Sequence, residues 1–231
     1  HEEEICMDGM MKCVIKAGAG QGNLELTERP IPKVGPMDVL IKVRAVAICG
    51  TDVHIMDWTD FASSRMTPPS IIGHEFSGEV VETGSLVRGI HVGDAVAAET
   101  HIVCHSCDLC HNGYEHVCCH TSTIGLHRDG AMAGYACIPA ENAVVFKRFP
   151  SWEILSLMEP FVAAVHAATE FPVAGKSVAV IGCGPIGAMG VAVANYCGAA
   201  TVIAIEPMAE RGQKALAMGA RVLINPLVED V

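Results

Sequence analysis

Ser177-Val178-Ala179-Val180-Ile181-Gly182-Cys183-Gly184-Pro185-Ile186-Gly187 decides how the second part of this chain folds. A β-rich apolar run ends in a Gly-x-Gly-x-x-Gly turn, and a helix over 185–196 follows. The first glycine permits the tight turn. The second lets backbone approach a pyrophosphate, and the third lets helix pack on strand. The N-terminus of that helix attracts phosphates. Alone, the glycine spacing is weak evidence, because any α/β protein uses glycine turns. Here the strand-turn-helix context is right, and Glu206 ends the next strand at the spacing a dinucleotide site needs. A carboxylate there accepts hydrogen bonds from the adenosine ribose and repels a 2′-phosphate, which favours NAD over NADP. Arg211 either brackets the adenosine side or pairs with Glu210 on a helix surface.

Working outward, strands are expected over 201–205 and 221–224 and a helix over 208–218, with helices over 151–157 and 161–170 upstream. Alternating strands and helices specify a parallel α/β sheet. A complete dinucleotide-binding sheet uses two βαβαβ halves, and only the first fits between Ser177 and Val231. Its first strand is then expected to be a bare apolar edge. Residues 177–205 carry no formal charge, so hydropathy alone would suggest a membrane helix. Gly182, Gly184, Pro185 and Gly198 break the run into strand, turn, helix and strand instead.

Residues 11–149 have a different texture, with short β-branched runs punctuated by glycine and proline. Strands are expected at Val39-Leu40-Ile41-Lys42-Val43-Arg44-Ala45-Val46 and Gly78-Glu79-Val80-Val81-Glu82, and a turn at 92–96 leads into a third. This predicts an all-β, barrel-like domain with long functional loops. The loop over 101–123 is too long for an ordinary connection and needs its own staple. The expected organisation is a leader over 1–10, a β domain over 11–160 and half of an α/β nucleotide domain over 161–231.

The staple is legible in Cys104-x2-Cys107-x2-Cys110-x7-Cys118, four thiols at the spacing that closes a tetrahedron around structural zinc. Cys119, His105, His111, His116 and His120 crowd the same loop and are alternative ligands. A second set is drawn from distant segments: Cys49 in Cys49-Gly50-Thr51-Asp52, and His74 and Glu75 in Gly73-His74-Glu75. A sulfur, an imidazole and a carboxylate leave one metal position open, the arrangement of a working zinc. Glu159, in Met158-Glu159-Pro160, is a candidate for the remaining ligand or a nearby acid. Removing a hydride from an alcohol requires that its hydroxyl also lose a proton, and Thr51 and His54 stand near enough to Cys49 to relay that proton to water.

The totals narrow the setting. The chain has 231 residues, 51% apolar and 18% charged, which fits a compact globular protein. A net charge of -11 argues against nucleic acid or an anionic membrane as partner. Eleven cysteines without a secretory leader fit a reducing, cytoplasmic setting.

Cys49-Gly50-Thr51-Asp52-Val53-His54, residues 73–81 and Glu99-Thr100-His101-Ile102-Val103-Cys104 closely resemble the medium-chain zinc-dependent alcohol dehydrogenases. The likeness runs from about Met11 to Val231. It implies a GroES-like β-barrel domain followed by a truncated Rossmann domain, two zinc ions per chain, NAD, and assembly as a homo-tetramer. It also implies oxidation of a small secondary alcohol, with L-threonine going to 2-amino-3-oxobutanoate. By matching position, Cys49, His74 and Glu75 would hold catalytic zinc, Thr51 and His54 would relay the proton, and Glu159 would tune the site. Ile186, Glu206 and Arg211 would touch the cofactor, and His101 would lie near the substrate pocket. A polyol or butanediol dehydrogenase, and a non-catalytic zinc module, are the alternative readings.

Overall fold

The computed structural model describes residues 9–230, so the expected leader lies outside the described residues except for its last two positions. The chain divides into two compact units between Glu159 and Pro160.

The first unit is built on antiparallel sheets. Strand β1 (Met10–Lys16) pairs along its whole length with β2 (Leu24–Pro30), and its end also pairs with the short β4 (Ser70–Ile71). Five further strands form one sheet: β3 (Asp38–Ala47), β5 (Glu75–Thr83), β6 (Ala95–Ala98), β9 (Tyr135–Pro139) and β10 (Ala143–Phe146). Their spatial order is β10-β6-β5-β3-β9. Val39, Ile41, Phe76, Val80, Val96, Ile124 and Ile138 form its core, and burial of such apolar side chains is the main driving term. Gly78 sits against the Lys42 carbonyl, where a side chain has no room. Strand β7 (His101–Ile102) pairs with β8 (Ser122–Thr123) and closes the base of the long loop.

Two differences from the sequence reading matter for the site. Strand β5 begins at Glu75, three residues earlier than expected, because Phe76 and Ser77 are buried and pair with Val46 and Ala45. Glu75 is therefore a strand residue and not part of a turn. Cys49 is followed by an unforeseen helix, α1 (Gly50–Asp57), and a short α2 (Asp60–Ser63) comes next. Asp52 explains the first: its carboxylate reaches back to the Cys49 N–H at 2.9 Å and caps the helix start.

Within the long loop lies α3 (Asp108–His111), and α4 (Trp152–Ser156) is capped by the Ser151 hydroxyl. Ser77, fully buried, donates to the Trp152 carbonyl at 2.7 Å and fixes α4 on β5. Helix α5 (Met158–Thr169) starts three residues before the sequence suggested. Pro160 is tolerated because a first-turn residue needs no intrahelical N–H bond.

The second unit alternates β11 (Ser177–Ile181), α6 (Pro185–Tyr196), β12 (Thr201–Ile205), α7 (Ala209–Ala217) and β13 (Val222–Ile224). The strands form a parallel sheet in the order β11-β12-β13. Cys183, Val191, Ala194, Val202, Ala204 and Ala215 make its core. Among the described residues no helix is long and apolar enough to cross a membrane.

Candidate metal centre and nucleotide turn

The sulfur of Cys49, a ring nitrogen of His74 and a carboxylate oxygen of Glu75 lie within 4.8 Å of one another. Each is delivered by a different device. Cys49 is the N-cap residue of α1, with extended backbone. His74 follows Gly73, whose φ of 89° belongs to the left-handed region and whose Cα faces Met132 too closely for a side chain. Glu75 opens β5. Burial pushes the Cys49 thiol up, and the nearby amide and hydroxyl of Thr51 oppose it. Burial also pushes the Glu75 carboxyl up, with the Cys49 thiol lowering it and the neighbouring charge of Glu159 raising it.

These residues fit a divalent ion. His74 Nδ1 and Asp52 Oδ1 are buried with no hydrogen-bond partner, a state that normally costs free energy. The charge of Glu159 also bears on Glu75, which is buried. A sulfur, an imidazole and a carboxylate are the ligand types zinc accepts. Glu159 lies beside this trio and not within it; Thr100, fully buried, donates to its Oε1 at 3.3 Å.

The proton-relay pair is not joined. Thr51 is held at the Cys49 sulfur, whereas exposed His54 faces the Thr59 hydroxyl at 3.3 Å and the Phe61 ring at 5.7 Å. Among the described residues no hydrogen bond links Thr51 to His54. The two stand three apart on α1, close enough to share a face, but their side chains turn to different partners: Thr51 to the Cys49 sulfur, His54 to Thr59 and Phe61.

The four loop thiols converge. Cys107 lies 3.5 Å from Cys110 and 3.9 Å from Cys118, and Cys118 lies 3.5 Å from Cys104, sulfur to sulfur. The Cys104 and His120 N–H groups both point at the Cys118 sulfur. Ser106, through its hydroxyl and amide, pulls the Cys104 thiol down to about 5, whereas burial and the adjoining thiols push Cys110 up to about 12. Four thiolates this close repel unless a cation sits among them, so this set also fits zinc. None of Cys119, His105, His111, His116 or His120 joins the group, and His105 is paired with Glu141 at 2.9 Å.

In the second unit Gly182 adopts a φ of 82°, and its N–H extends the sheet ladder to the Ile205 carbonyl. Gly187 packs on the Gly182 carbonyl with no space for a side chain. Gly184 is the N-cap of α6 and Pro185 its first residue; Ile186 is half exposed. Glu206 is only 4% exposed. Glu210 forms its ion pair with Lys214 at 2.9 Å, and the Arg211 charge is felt at both Glu206 and Glu210.

His101 lines a cavity of about 450 Å³ with Glu99, His105, His116, Glu141 and Asn142. Its Nδ1 lies 2.8 Å from Glu99, which raises its pKa. Sequence reasoning passed over Asp52, Thr100 and Glu99. Asp52 had a usable signal, an acidic residue three after an N-cap position; the other two had none.

With this geometry in hand, comparison with known proteins gives a consistent picture. Residues 35–148 match the alcohol dehydrogenase GroES-like domain. A protein from Caldanaerobacter subterraneus subsp. tengcongensis, named L-threonine 3-dehydrogenase, is 49% identical over 97% of this chain, which spans 65% of that relative's length. A zinc-binding dehydrogenase from Sinorhizobium meliloti, solved bound to NADP, superposes with a TM-score of 0.90 at 34% identity, covering 96% of this chain and 64% of that one. Galactitol-1-phosphate dehydrogenase from Escherichia coli gives a TM-score of 0.86 at 28% identity over 95% of this chain and 62% of its own. Residues 35–148 thus carry the GroES-like domain of alcohol dehydrogenases, and over nearly all its length the chain is similar in fold to zinc-binding dehydrogenases. The likeness extends to proteins named L-threonine 3-dehydrogenase, of whose length the chain spans under two thirds.

Proposed function

We propose that this chain carries the metal centre and adenosine-side nucleotide turn of an NAD-dependent zinc alcohol dehydrogenase acting on L-threonine. The observation that carries this is the convergence of Cys49, His74 and Glu75, three donors of zinc's preferred types within 4.8 Å. In this reading the first unit is a GroES-like barrel over 11–160, and 161–231 is the first half of a Rossmann domain. Bound zinc supplies Lewis-acid stabilisation of an alcohol oxygen as its proton leaves. Cys49, His74 and Glu75 hold that ion, and Glu159 adjusts the charge around it. Thr51 steadies the Cys49 sulfur through amide and hydroxyl. The hydroxyl proton leaves towards His54, which is exposed and able to pass it to water once the Thr51 hydroxyl turns. Gly182, Gly184, Pro185, Ile186 and Gly187 cradle the pyrophosphate, with Glu206 and Arg211 on the adenosine side and His101 at the substrate pocket. NAD, two zinc ions per chain, a cytoplasmic setting and assembly into a homo-oligomer complete the proposal.

Zinc content and a substrate panel test it together. Two zinc equivalents, one lost in Cys49→Ser, and NADH formation preferring L-threonine over sorbitol and 2,3-butanediol support the reading. A preference for sorbitol or butanediol would move the substrate to the polyol class, which the likeness to galactitol-1-phosphate dehydrogenase favours as a second reading. A single zinc that survives Cys49→Ser, with no NADH from any alcohol, would leave a non-catalytic zinc module.

A further inference from the structure

The Glu206 carboxylate does something that a ribose contact alone does not require. Its Oε2 accepts the Cys183 N–H at 2.8 Å, and its Oε1 accepts the Met208 N–H at 2.9 Å. Cys183 is the second residue of the glycine turn, and Met208 is the N-cap of α7. One buried side chain thus ties the turn that opens α6 to the residue that opens α7. Its own backbone is fixed as well, because the Glu206 N–H donates to the Ile224 carbonyl at 3.0 Å and so continues the ladder to β13. The neighbouring rung, Gly182 N–H to Ile205 carbonyl at 2.9 Å, belongs to the sheet; the Cys183 N–H has no strand to meet and finds a side chain instead.

We propose that Glu206 is a positioning residue for the phosphate-binding turn, holding the Cys183 amide and the start of α7 in place whether or not a nucleotide ribose is present. This rests on the reading of residues 182–187 as a nucleotide turn and deepens it. Charge-assisted bonds from a carboxylate to two backbone amides are among the stronger hydrogen bonds in a protein, and their loss strands buried donors. Both amides also hold the Glu206 carboxyl below the usual glutamate range, in keeping with that geometry. A consequence for specificity follows. In a turn fastened only by glycines, removing the acid admits a 2′-phosphate and leaves pyrophosphate binding alone. Here the same removal loosens the pyrophosphate cradle, so discrimination at the ribose and grip on the phosphates are coupled.

Two ligands separate the roles: ADP, and 2′,3′-dideoxy-ADP, which has no ribose hydroxyl for a carboxylate to read. If Glu206 braces the turn, Glu206→Ala weakens both nucleotides, the dideoxy form by about 10-fold, the lower end of what a stranded buried donor costs. Glu206→Asp, one methylene shorter and unable to span both amides, falls between. A ligand-free measurement accompanies these: hydrogen exchange, referenced to amides of β12, is about 10-fold faster at both the Cys183 and Met208 amides in Glu206→Ala, and at one of the two in Glu206→Gln, which keeps a single acceptor oxygen. If Ala substitution proves too disruptive to fold, the Gln variant carries the exchange test. Exchange unchanged at both the Cys183 and Met208 amides, or a loss confined to ADP with dideoxy-ADP untouched, would overturn the proposal. If the unmodified protein binds neither nucleotide, the nucleotide reading itself fails, and the exchange rates alone decide whether Glu206 braces the turn.

Discussion

Lys16 sends its ammonium group into the first unit, where the residue is fully buried. Nζ donates to the carbonyls of Gly20 and Gly22, each at 2.6 Å, reaches that of Met56 at 3.4 Å, and lies 4.9 Å over the Trp58 ring. Met56 and Trp58 sit at the C-terminal end of α1, where unsatisfied carbonyls attract a cation. One residue of β1 therefore anchors the far end of the helix whose first turn holds Cys49. Lys16→Met keeps the volume and removes the ammonium partner of the Gly20 and Gly22 carbonyls, while that of Met56 keeps the Gly22 N–H at 2.8 Å; it is expected to cost about 1–3 kcal/mol, seen as a lower urea midpoint at unchanged slope. An unchanged midpoint would show that water replaces the ammonium. Glu206 gives a residue-scale prediction with a definite sign. Its folded pKa is depressed, first by the Met208 amide and then by the Cys183 amide. The stability it contributes is full above the ordinary glutamate value of 4.5 and is lost as pH falls through the depressed one. Glu206→Gln should flatten the acid limb of a stability-pH curve below about pH 4.5 and leave its shape near neutrality alone. An acid limb identical to that of the unmodified protein would contradict this.

At the scale of elements, the 103–121 segment depends on its sulfurs more than on apolar packing. Its largest buried side chains are Cys110 and Cys118, and Tyr114 and Val117 are half exposed. Apart from its base, where β7 pairs with β8, the segment is ordered by local turns, α3, a 3-10 turn at Glu115–Val117 and the exposed His105–Glu141 contact. Chelating the metal, or making Cys107→Ser, should open this loop to protease by about 10-fold or more while the five-stranded sheet keeps its far-ultraviolet signature. Cleavage that stays slow after zinc is gone would mean that the hydrogen bonds hold the loop. The same elements show what linear patterns can and cannot convey. Strands β11 and β12 and helix α6 were legible to the residue, because apolar β-branched runs end at glycines and Pro185 marks a helix start. The four-sulfur spacing was legible for the same reason: its signal is local. Helix α1 was not, since Gly50-Thr51-Asp52-Val53-His54 has no apolar period and is held by the Asp52 cap and by Lys16 from 40 positions away in sequence at Met56. The β1–β2 hairpin was missed too, because Leu24, Leu26 and their neighbours are exposed and β2 reads as polar. Convergence of Cys49 with His74 and Glu75 was suggested by residue type and by the family resemblance; the β3–β5 pairing that brings them together is a long-range fact that no local pattern carries.

For the molecule as a whole, the parallel sheet poses a problem of association. Among the described residues, strand β11 stands at one edge of the β11-β12-β13 sheet, so alternate residues of Ser177–Ile181 turn their N–H and C=O groups away from β12. Ile181, the last residue of β11, is 81% exposed, and the second unit also exposes Phe171 and Tyr196. Parallel sheets are ordinarily buried on both faces, and a flat apolar edge is a template for pairing with another chain. No charge interrupts β11, no proline blocks it, and no bulge turns it away, so none of the usual defences is present in Ser177-Val178-Ala179-Val180-Ile181. The net charge of -11 opposes association at low salt, but salt screens that repulsion and leaves the apolar contact intact. The 231-residue protein is therefore expected to self-associate over roughly the micromolar range, and more strongly as salt rises. Sedimentation velocity across a concentration series reads this directly. Ile181→Lys places a charge on the edge and should shift the distribution back to monomer without lowering zinc content, because the thiol and trio sites lie in the other unit. Salt-independent monomer for the unmodified chain, or association undiminished by Ile181→Lys, would show that this strand is not the adhesive surface.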